Sequence, residues 1–207
     1  MNPRVPLEAR LRRALHPLHQ PPIRQPWNAA ELEGLLAPGD PRPAAVLVGL
    51  IPRPSAMTVL LTRRNDGLRH HAGQVSFPGG RVEREDLDPA AAALREAREE
   101  VGLLSVDVEP LGYLDPLLTI TGFRVVPLVA WLAPGFVPRP DPSEVAEVFE
   151  VPLDLLLDPC QLDRVELQFA GRPRHVLQYR YEQQRIWGAT ASILFNLRER
   201  LALATHG

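Results

Sequence analysis

The stretch that decides the fold runs from Gly80 to Leu103 and reads GRVEREDLDPAAAALREAREEVGL. Its second half predicts a helix over residues 89–101. Asp88 is a good N-cap, proline suits the first helical position, and Gly102 can adopt the left-handed conformation that ends a helix. Both ends of this helix are therefore specified by local chemistry, and the rest of the fold can be built outward from it.

Three carboxylates share one face of this helix. Glu96, Glu99 and Glu100 lie at positions i, i+3 and i+4, which brings them within reach of a common point. Each like-charge pair costs an exposed helix roughly 0.2–0.5 kcal/mol, and an acidic run of this kind is usually a solvated surface. Here, however, the turn Phe77-Pro78-Gly79-Gly80 precedes it, and its glycines let the backbone come close to a ligand. The combination predicts a site for an oxygen-seeking divalent cation such as Mg²⁺.

Apolar runs on either side of this helix predict a sheet. Residues 44–51 and 57–63 are short apolar segments separated by a Pro-containing connection, which predicts a pair of strands. Pro127 falls inside a later candidate strand, where we expect it at an edge or a bulge because proline cannot donate to a ladder. The remaining candidates are strands at 111–114, 123–132 and 175–181 and a last helix at about 190–203. Strands before and after a single well-capped helix predict an α+β fold or an α/β/α sandwich with a mixed central sheet.

The first 40 residues differ in composition from the rest of the chain. Residues 7–19 carry leucines at helical spacing, and a Pro-rich stretch that no regular element could cross follows them. A second short helix is predicted around residues 29–36. A chain of 207 residues suits one ordinary domain. We therefore expect an N-terminal helical arm with a linker at 1–40 and one globular domain at 41–207. The arm is compatible with a local decoration, a homodimer contact or disorder.

Composition argues against several classes of partner. The net charge of −2 and the pI near 6.3 do not suit a surface that binds nucleic acid. All 23 basic residues are arginine, a bias that indicates coding preference rather than a site.

Cys160 is the single cysteine, so an intrachain disulfide is excluded and a buried, inert thiol is expected. No signal peptide or long apolar segment is recognisable, and we expect a cytoplasmic protein without a membrane partner.

The 80–103 stretch resembles the Nudix box, in which a glycine and a carboxylate precede a helix with the pattern RE-apolar-x-EE-x-G-apolar. It departs from that pattern at two points. Asp86 stands where glutamate is usual, and one extra residue lies between it and Arg95. Either the loop bulges at Leu87 or Asp86 supplies the carboxylate. The resemblance implies a Nudix sandwich and a metal-dependent hydrolase of nucleoside-diphosphate linkages.

The residues before the box indicate which subfamily the chain resembles. Leu60-Leu61-Thr62-Arg63-Arg64-Asn65, then Arg69, Gly73 and Phe77-Pro78-Gly79-Gly80, are similar to the extended motif of bacterial coenzyme A pyrophosphatases, whose boxes carry the same insertion. Asn65 is the exception, since the motif prefers serine or alanine there. This subfamily implies hydrolysis of coenzyme A, or of its thioester or disulfide forms, to 3′,5′-ADP and a 4′-phosphopantetheine species.

The resemblance also implies roles for the charged residues of the helix. Glu96, Glu99 and Glu100 would hold Mg²⁺ or Mn²⁺, with Glu96 and Glu99 acting in catalysis. Arg95 would orient the cluster through a salt bridge to an acidic neighbour. A further carboxylate would come from a distant loop.

The distant carboxylate has two candidates, Glu144 and Glu147, in the segment DPSEVAEVFEV. A solvated start of a short helix explains both equally well, since Asp141 or Ser143 could cap it. The two interpretations stay open at this point.

The implied partner is a small-molecule substrate that carries phosphate groups. Arginine suits such groups because its guanidinium can bind two oxygens at once. Of the neighbours Arg63 and Arg64, one must point to solvent because side chains alternate along a strand. The residues expected to contact the substrate are Arg64, Arg69, His71, Gly73, Phe77, Gly79 and Gly80.

Two other functions compete with coenzyme A hydrolysis. The same chemistry could act on ADP-ribose, a dinucleotide or a nucleoside triphosphate. Alternatively, the chain could be a non-catalytic Nudix module that senses a ligand. Such modules usually lose carboxylates of the box, whereas this helix keeps all three.

Overall fold

The computed structural model describes residues 4–36, 39–68, 71–169 and 172–204. These residues form four α-helices and eleven strands, and the predicted strands and helices are found within a few residues of their expected positions except for the helix at 29–36. In chain order the elements are α1 (Arg4–Ala14), β1 (Arg42–Pro52), β2 (Met57–Arg64), β3 (Val75–Ser76), β4 (Gly79–Arg81), α2 (Pro89–Val101), β5 (Val108–Tyr113), β6 (Leu117–Leu118), β7 (Phe123–Leu132), β8 (Val145–Pro152), α3 (Leu153–Leu157), β9 (Asp163–Phe169), β10 (Arg172–Tyr181), β11 (Gln184–Trp187) and α4 (Ala189–Leu203).

Eight of the strands form a mixed sheet that is built around β1. β7 runs parallel to β1 along one edge, whereas β2 and β4 pair antiparallel with it along the other. β8 and β3 pair with β2, and β5 and β6 pair with β7, all antiparallel. A second sheet of three antiparallel strands contains β9, β10 and β11. The prediction of a mixed central sheet is confirmed.

The two faces of β1 belong to two different apolar cores, because side chains alternate along a strand. Leu47 and Ile51 are fully buried against α2, whose contribution to this core is mainly alanine. Val48 and Leu50 are fully buried on the opposite face, in a core shared with α1, α4 and the second sheet. The small alanine side chains let α2 lie close to the sheet. Helices therefore cover both faces, and the predicted α/β/α sandwich is confirmed.

Both ends of α2 have the predicted chemistry. The Asp88 carboxylate accepts a hydrogen bond of 2.8 Å from the Ala91 N–H, and Pro89 occupies the first helical position. At the other end Gly102 has φ +69°, and its N–H donates to the Arg98 carbonyl at 3.1 Å. These caps satisfy backbone groups that a helix end leaves without partners, so the helix begins and ends where the sequence specifies.

The expected edge or bulge position of Pro127 is wrong. β7 is an inner strand with β1 on one side and β5 and β6 on the other. Pro127 is tolerated because it lies opposite the gap between β5 and β6. Its carbonyl accepts a hydrogen bond of 3.0 Å from Leu114, the residue just after β5, and no ladder donor is needed at that position.

Two smaller expectations also need correction. Cys160 is exposed and unpaired with another cysteine, not buried as expected, because it lies in a short turn after α3. The short helix predicted at 29–36 is only a 3-10 turn over Ala29–Leu32. Among the described residues, no helix is both long and apolar enough to cross a membrane.

The N-terminal segment packs on the rest of the molecule. Leu11 and Leu15 belong to the core that α4 and the sheet share, and Leu11 is fully buried. The His16 N–H then donates to the Tyr113 carbonyl at 2.9 Å, and the Tyr113 N–H donates back to the His16 carbonyl at 2.9 Å. The helical extension is therefore held on the sheet by both apolar and backbone contacts. The division of the chain at residue 40 stays a prediction.

A polar cluster fixes this segment to α4 and to the connection between β5 and β6. The Asp115 carboxylate accepts hydrogen bonds from Arg200 at 2.8 and 2.9 Å and from Asn196 at 3.0 Å. His16 Nε2 lies 2.8 Å from the same carboxylate. Burial alone would raise the pKa of Asp115, but the hydrogen bonds from Asn196, His16 and Arg200 outweigh it and lower the pKa to about 2. The ionised form of Asp115 therefore stabilises the folded chain.

We expect Asp115→Asn to lower the free energy of unfolding at pH 7 by about 2 kcal/mol. The folded pKa of about 2 lies below the ordinary value of 3.8, so this stabilisation is complete above about pH 4 and is lost as the pH falls toward 2. Urea unfolding across this range should show the difference from wild type shrinking. Asp40→Asn, at an exposed position, should change stability little, and a pH-independent difference for Asp115→Asn would contradict the expectation.

Candidate active site

The acidic face of α2 lies directly against β4, and a glycine at the contact makes this possible. A Cβ atom added to Gly80 would stand 2.4 Å from the Glu96 carboxyl carbon and from its Oε1. A Cβ on Gly79 would stand 2.5 Å from the Ala45 carbonyl oxygen. No side chain fits at either position without movement. The glycine pair therefore sets how close the carboxylates can come to the sheet.

Glu100 is the most deeply buried carboxylate of the cluster, with its side chain 3% exposed. It accepts a hydrogen bond of 3.2 Å from the Gly79 N–H, and Arg64 Nη1 lies 3.5 Å from its Oε1. Burial raises the pKa of Glu100 to about 7, although the charge of Arg64 and the Gly79 N–H act in the opposite direction. A carboxylate in this environment gains from any additional positive charge nearby.

Glu96 and Glu99 share one guanidinium group. Arg95 Nη1 lies 2.9 Å from Glu96 and 3.2 Å from Glu99. The Glu96 side chain is only 17% exposed, whereas that of Glu99 is 59% exposed. Burial raises the pKa of Glu96, Arg95 opposes this, and the charges of Glu99 and Glu144 add to the rise. Arg95 thus offsets only part of the combined effect of burial and of the neighbouring negative charges.

Asp86 is the acidic neighbour that orients Arg95. Its two oxygens accept hydrogen bonds of 3.1 and 3.0 Å from Arg95 Nε and Nη2, and Arg95 Nη2 also donates to the Arg81 carbonyl at 3.0 Å. Hydrogen bonding to Arg95 lowers the pKa of Asp86. The extra residue of the loop, Leu87, is 96% exposed. The loop therefore turns Leu87 outward and places the Asp86 carboxylate on Arg95.

The turn before β8 brings a fourth carboxylate to the cluster. The Asp141 N–H donates to the Glu100 carbonyl at 3.0 Å, which joins this turn to α2. The negative charge of Glu144 adds to the rise that burial causes in the pKa values of Glu96 and Glu100. No helix begins here: a turn leads directly into β8 at Val145. The interpretation of this segment as a helix start is wrong, because its polar groups cap a turn instead, with Asp141 accepting the Ser143 N–H at 2.8 Å.

Glu147 faces other partners. It accepts a hydrogen bond of 2.9 Å from Gln184 of β11, and Arg63 Nε lies 3.5 Å from it. Arg63 also donates to Asp66 at 3.2 Å. Of the two neighbouring arginines, Arg64 therefore lies at the carboxylate cluster and Arg63 on the outer surface, as side-chain alternation requires.

The carboxylate cluster fits a divalent cation by its chemistry. Its donors are all oxygens, which Mg²⁺ and Mn²⁺ prefer. Two of the carboxylates have raised pKa values because burial disfavours their ionised form, and the charges of neighbouring carboxylates add to the rise. Within the part of the chain that the structure describes, no three acidic, histidine or cysteine side chains already converge on one point. Glu96 and Glu99 are instead turned toward Arg95. A shared ion would compete with Arg95 for the oxygens of these carboxylates.

The residues predicted to contact substrate occupy different positions. Arg64, Gly79 and Gly80 lie at the carboxylate cluster. His71 and Gly73 lie in the connection between β2 and β3, where His71 is exposed and its Nδ1 is 2.9 Å from Gln74 Oε1.

One of the predicted substrate contacts, Phe77, does not lie at the surface of the site. Phe77 is 3% exposed and packs in the core beneath α4, which suits a packing role better than a ligand contact. Arg69 lies outside the described residues.

Several groups that build the site are invisible to sequence reasoning because they are backbone atoms. The Gly79 N–H donates to Glu100, and the Arg81 carbonyl accepts from Arg95. Pairing of β4 with β1 fixes both groups, since Gly79 lies opposite Val46 in the ladder. The signal in the sequence is only the glycine pair itself.

Comparison with known proteins identifies the family. The NUDIX domain model matches residues 40–171. The uncharacterized Nudix hydrolase NudL of Photorhabdus laumondii is 43% identical over 160 residues, which cover 77% of this chain and 85% of that protein. A protein of the same name from Yersinia pestis is 42% identical over 163 residues, covering 78% and 81%.

A solved structure shows the same fold. The NUDIX domain of Shewanella oneidensis NrtR, crystallised with ADP ribose, is similar with a TM-score of 0.51 over 83% of this chain and 97% of that domain. Its sequence identity is 16%, so the likeness concerns the fold alone. The domain match and the identity to the relatives, together with the glycine pair under an acidic helix, make this chain a member of the Nudix hydrolase family.

Proposed function

We propose that this Nudix hydrolase cleaves the diphosphate linkage of coenzyme A or a derivative, in the presence of Mg²⁺ or Mn²⁺. The products would be 3′,5′-ADP and a 4′-phosphopantetheine species. One observation carries the proposal. Arg64, which belongs to the motif that resembles coenzyme A pyrophosphatases, lies 3.5 Å from Glu100 of the box. This contact supports a single site that contains residues of both the subfamily motif and the Nudix box.

Glu96, Glu99, Glu100 and Glu144 are the residues that would hold the metal. Bound there, the cation would stabilise negative charge on the bridging phosphates and lower the pKa of a coordinated water. No protein nucleophile is then required. The choice of Glu144 over Glu147 is supported by its effect on the pKa values of Glu96 and Glu100.

The protein groups around the cluster keep it in place and accept the proton. Asp86 holds Arg95 through two hydrogen bonds, and Arg95 in turn holds Glu96 and Glu99. Glu99 is the most exposed of these carboxylates, so it is the group best placed to take a proton from the attacking water, with Glu96 as its neighbour in this role.

The substrate would lie across the glycine turn and the connection between β2 and β3. Arg64 is only loosely paired with Glu100, at 3.5 Å, and its guanidinium can donate to a phosphate oxygen when substrate binds. Arg69, His71 and Gly73 would contact the same ligand from the connection.

Three further proposals rest on the sequence. Residues 41–207 would be the catalytic domain with residues 1–40 as an extension, the protein would be cytoplasmic, and a homodimer would be compatible with the exposed part of the extension. Leu11 and Leu15 of the extension pack in the same apolar core as residues of α4. This supports an extension that folds together with the domain.

We expect Glu99→Gln to lower kcat by about 10²-fold or more, since general-base groups contribute typically 10²–10⁴-fold. Glu144→Gln should lower kcat about tenfold and raise the Mg²⁺ concentration needed for half-maximal rate, because a weakened ligand set binds the ion less tightly. Steady-state kinetics with circular dichroism as a check of folding would measure both.

The matched control for these variants is Glu147→Gln. Glu147 lies three residues after Glu144, in β8, where it accepts a hydrogen bond from Gln184 and pairs with Arg63. Its kcat should stay within about twofold of wild type, as surface substitutions usually have small effects. Equal losses in Glu144→Gln and Glu147→Gln would contradict the assignment of Glu144.

The substrate proposal is tested by Mg²⁺-dependent hydrolysis of coenzyme A, dephospho-coenzyme A and ADP-ribose, with Glu99→Gln as the blank. We expect the highest kcat/KM for coenzyme A. Dephospho-coenzyme A should lose about tenfold or more, because the lost charge-assisted hydrogen bonds to a phosphate are each worth roughly 1.5–3 kcal/mol. Preference for ADP-ribose would reject the coenzyme A subfamily and leave the hydrolase intact. Turnover of none of them would favour the ligand-sensing module.

A further inference from the structure

Asn65, the residue at which this chain departs from the coenzyme A pyrophosphatase motif, is tied to the turn that carries Glu144. Its N–H donates to the Glu144 carbonyl at 2.8 Å, and its side-chain Nδ2 donates to the Pro142 carbonyl at 2.6 Å. Its Oδ1 accepts the Gly67 N–H at 2.8 Å. The backbone N–H, Nδ2 and Oδ1 of Asn65 are therefore all hydrogen-bonded within the protein. The side chain has little capacity left to bind a ligand.

The same turn has a second anchor on α2. The Asp141 N–H donates to the Glu100 carbonyl at 3.0 Å, and the Glu144 N–H donates to the Asp141 carbonyl at 3.1 Å. The turn at 141–144 is thus hydrogen-bonded to Glu100, near the end of α2, on one side and to Asn65 on the other. Loss of the Asn65 side-chain contact would leave the turn with the bond to Glu100, the bond from the residue-65 N–H to Glu144 and the pairing of β8 with β2.

Glu144 has no side-chain hydrogen bond or ion pair to another residue in the described ranges, and the backbone of the turn alone sets where its carboxylate lies. That carboxylate is close enough to Glu96 and Glu100 to affect both electrostatically. A small displacement of the turn would therefore change the carboxylate cluster directly.

Asn65 is also the first residue of the connection between β2 and β3. The preceding residue, Arg64, reaches Glu100 with its side chain. Its N–H donates to the Gln74 carbonyl at 3.0 Å, and its carbonyl accepts the Gly73 N–H at 3.2 Å, which closes the connection as a loop. Asn65 therefore joins the end of β2 to the turn that carries Glu144.

We propose that Asn65 is a positioning residue that fixes the Glu144 carboxylate by holding its turn against the end of β2. The inference rests on the role proposed above for Glu144. The side-chain amide is needed because it donates to Pro142 and accepts from Gly67 at once. A serine hydroxyl can take over the contact with Gly67 but is one bond too short for Pro142, and alanine makes neither contact.

The test compares Asn65→Ala and Asn65→Ser with Asp66→Asn, a matched substitution next in the chain whose side chain binds Arg63 on the outer surface. We expect kcat for coenzyme A to fall about three- to tenfold in both Asn65 variants, as the loss of one or two hydrogen bonds implies. KM should stay within twofold, and Asp66→Asn should resemble wild type.

Two measurements need no turnover. The dissociation constant of Mn²⁺, measured by titration calorimetry without substrate, should rise about three- to tenfold in Asn65→Ala. Hydrogen exchange of the residue-65 amide, which bonds to Glu144, should become faster. Thermal unfolding without metal serves as the check on folding, and the Mn²⁺ result does not depend on coenzyme A being the substrate.

The double variant with Glu144→Gln decides the mechanism. If Asn65 acts through Glu144, Asn65→Ala should cause no further loss of Mn²⁺ affinity or kcat in the Glu144→Gln background. Losses that add in the double variant would overturn the coupling and leave the role of Glu144 intact. Wild-type Mn²⁺ affinity and activity in Glu144→Gln alone would instead reject the proposed role of Glu144, and the coupling with it.

Discussion

The close approach of α2 to β4 is the constraint on which the site depends. Gly80 lies where a Cβ would overlap the Glu96 carboxylate, and Gly79 lies where one would overlap the backbone of β1. The pairing of β4 with β1 places these glycines, while the alanines of α2 allow the helix to lie near the sheet. The result is that the Glu96 carboxylate lies in the space that a side chain at residue 80 would occupy.

The opposite face of the sheet supports the same arrangement. α4 packs there with α1 and the second sheet, and Thr190 at the start of α4 donates to the Val75 carbonyl at 2.9 Å. Val75 lies in β3, just before the turn that holds Phe77 and the glycine pair. Since Phe77 is buried in the same core, the turn is anchored from below while its glycines face the carboxylates.

The features of the site that depend on residues close together in the chain could be predicted from the sequence. The ends of α2 depend on Asp88, Pro89 and Gly102, which act within one helical turn. The shared face of the glutamates follows from helical periodicity alone. Strand alternation likewise separates Arg63 from Arg64. Each of these inferences needs only neighbours in the chain.

What the sequence could not supply depends on long-range pairing. Glu144 and Glu147 look equivalent in the sequence, yet the pairing of β8 with β2 directs Glu147 to Arg63 and the turn before it directs Glu144 to the cluster. Pro127 looks like an edge residue until the gap between β5 and β6 is known. The partner of Arg95 was open between acidic neighbours, and the bulge at Leu87 places Asp86 there.

The most direct test of this account is the affinity of Gly80→Ala for Mn²⁺, measured by titration calorimetry beside wild type and Gly135→Ala. Gly135 has open space where a Cβ would be placed, so its variant should bind Mn²⁺ like wild type. Because the new methyl group must displace Glu96, Gly80→Ala should remain folded but bind Mn²⁺ about tenfold or more weakly, the range seen when groups that orient metal ligands are changed. Wild-type affinity in a folded Gly80→Ala would contradict the claim that this close approach forms the metal site.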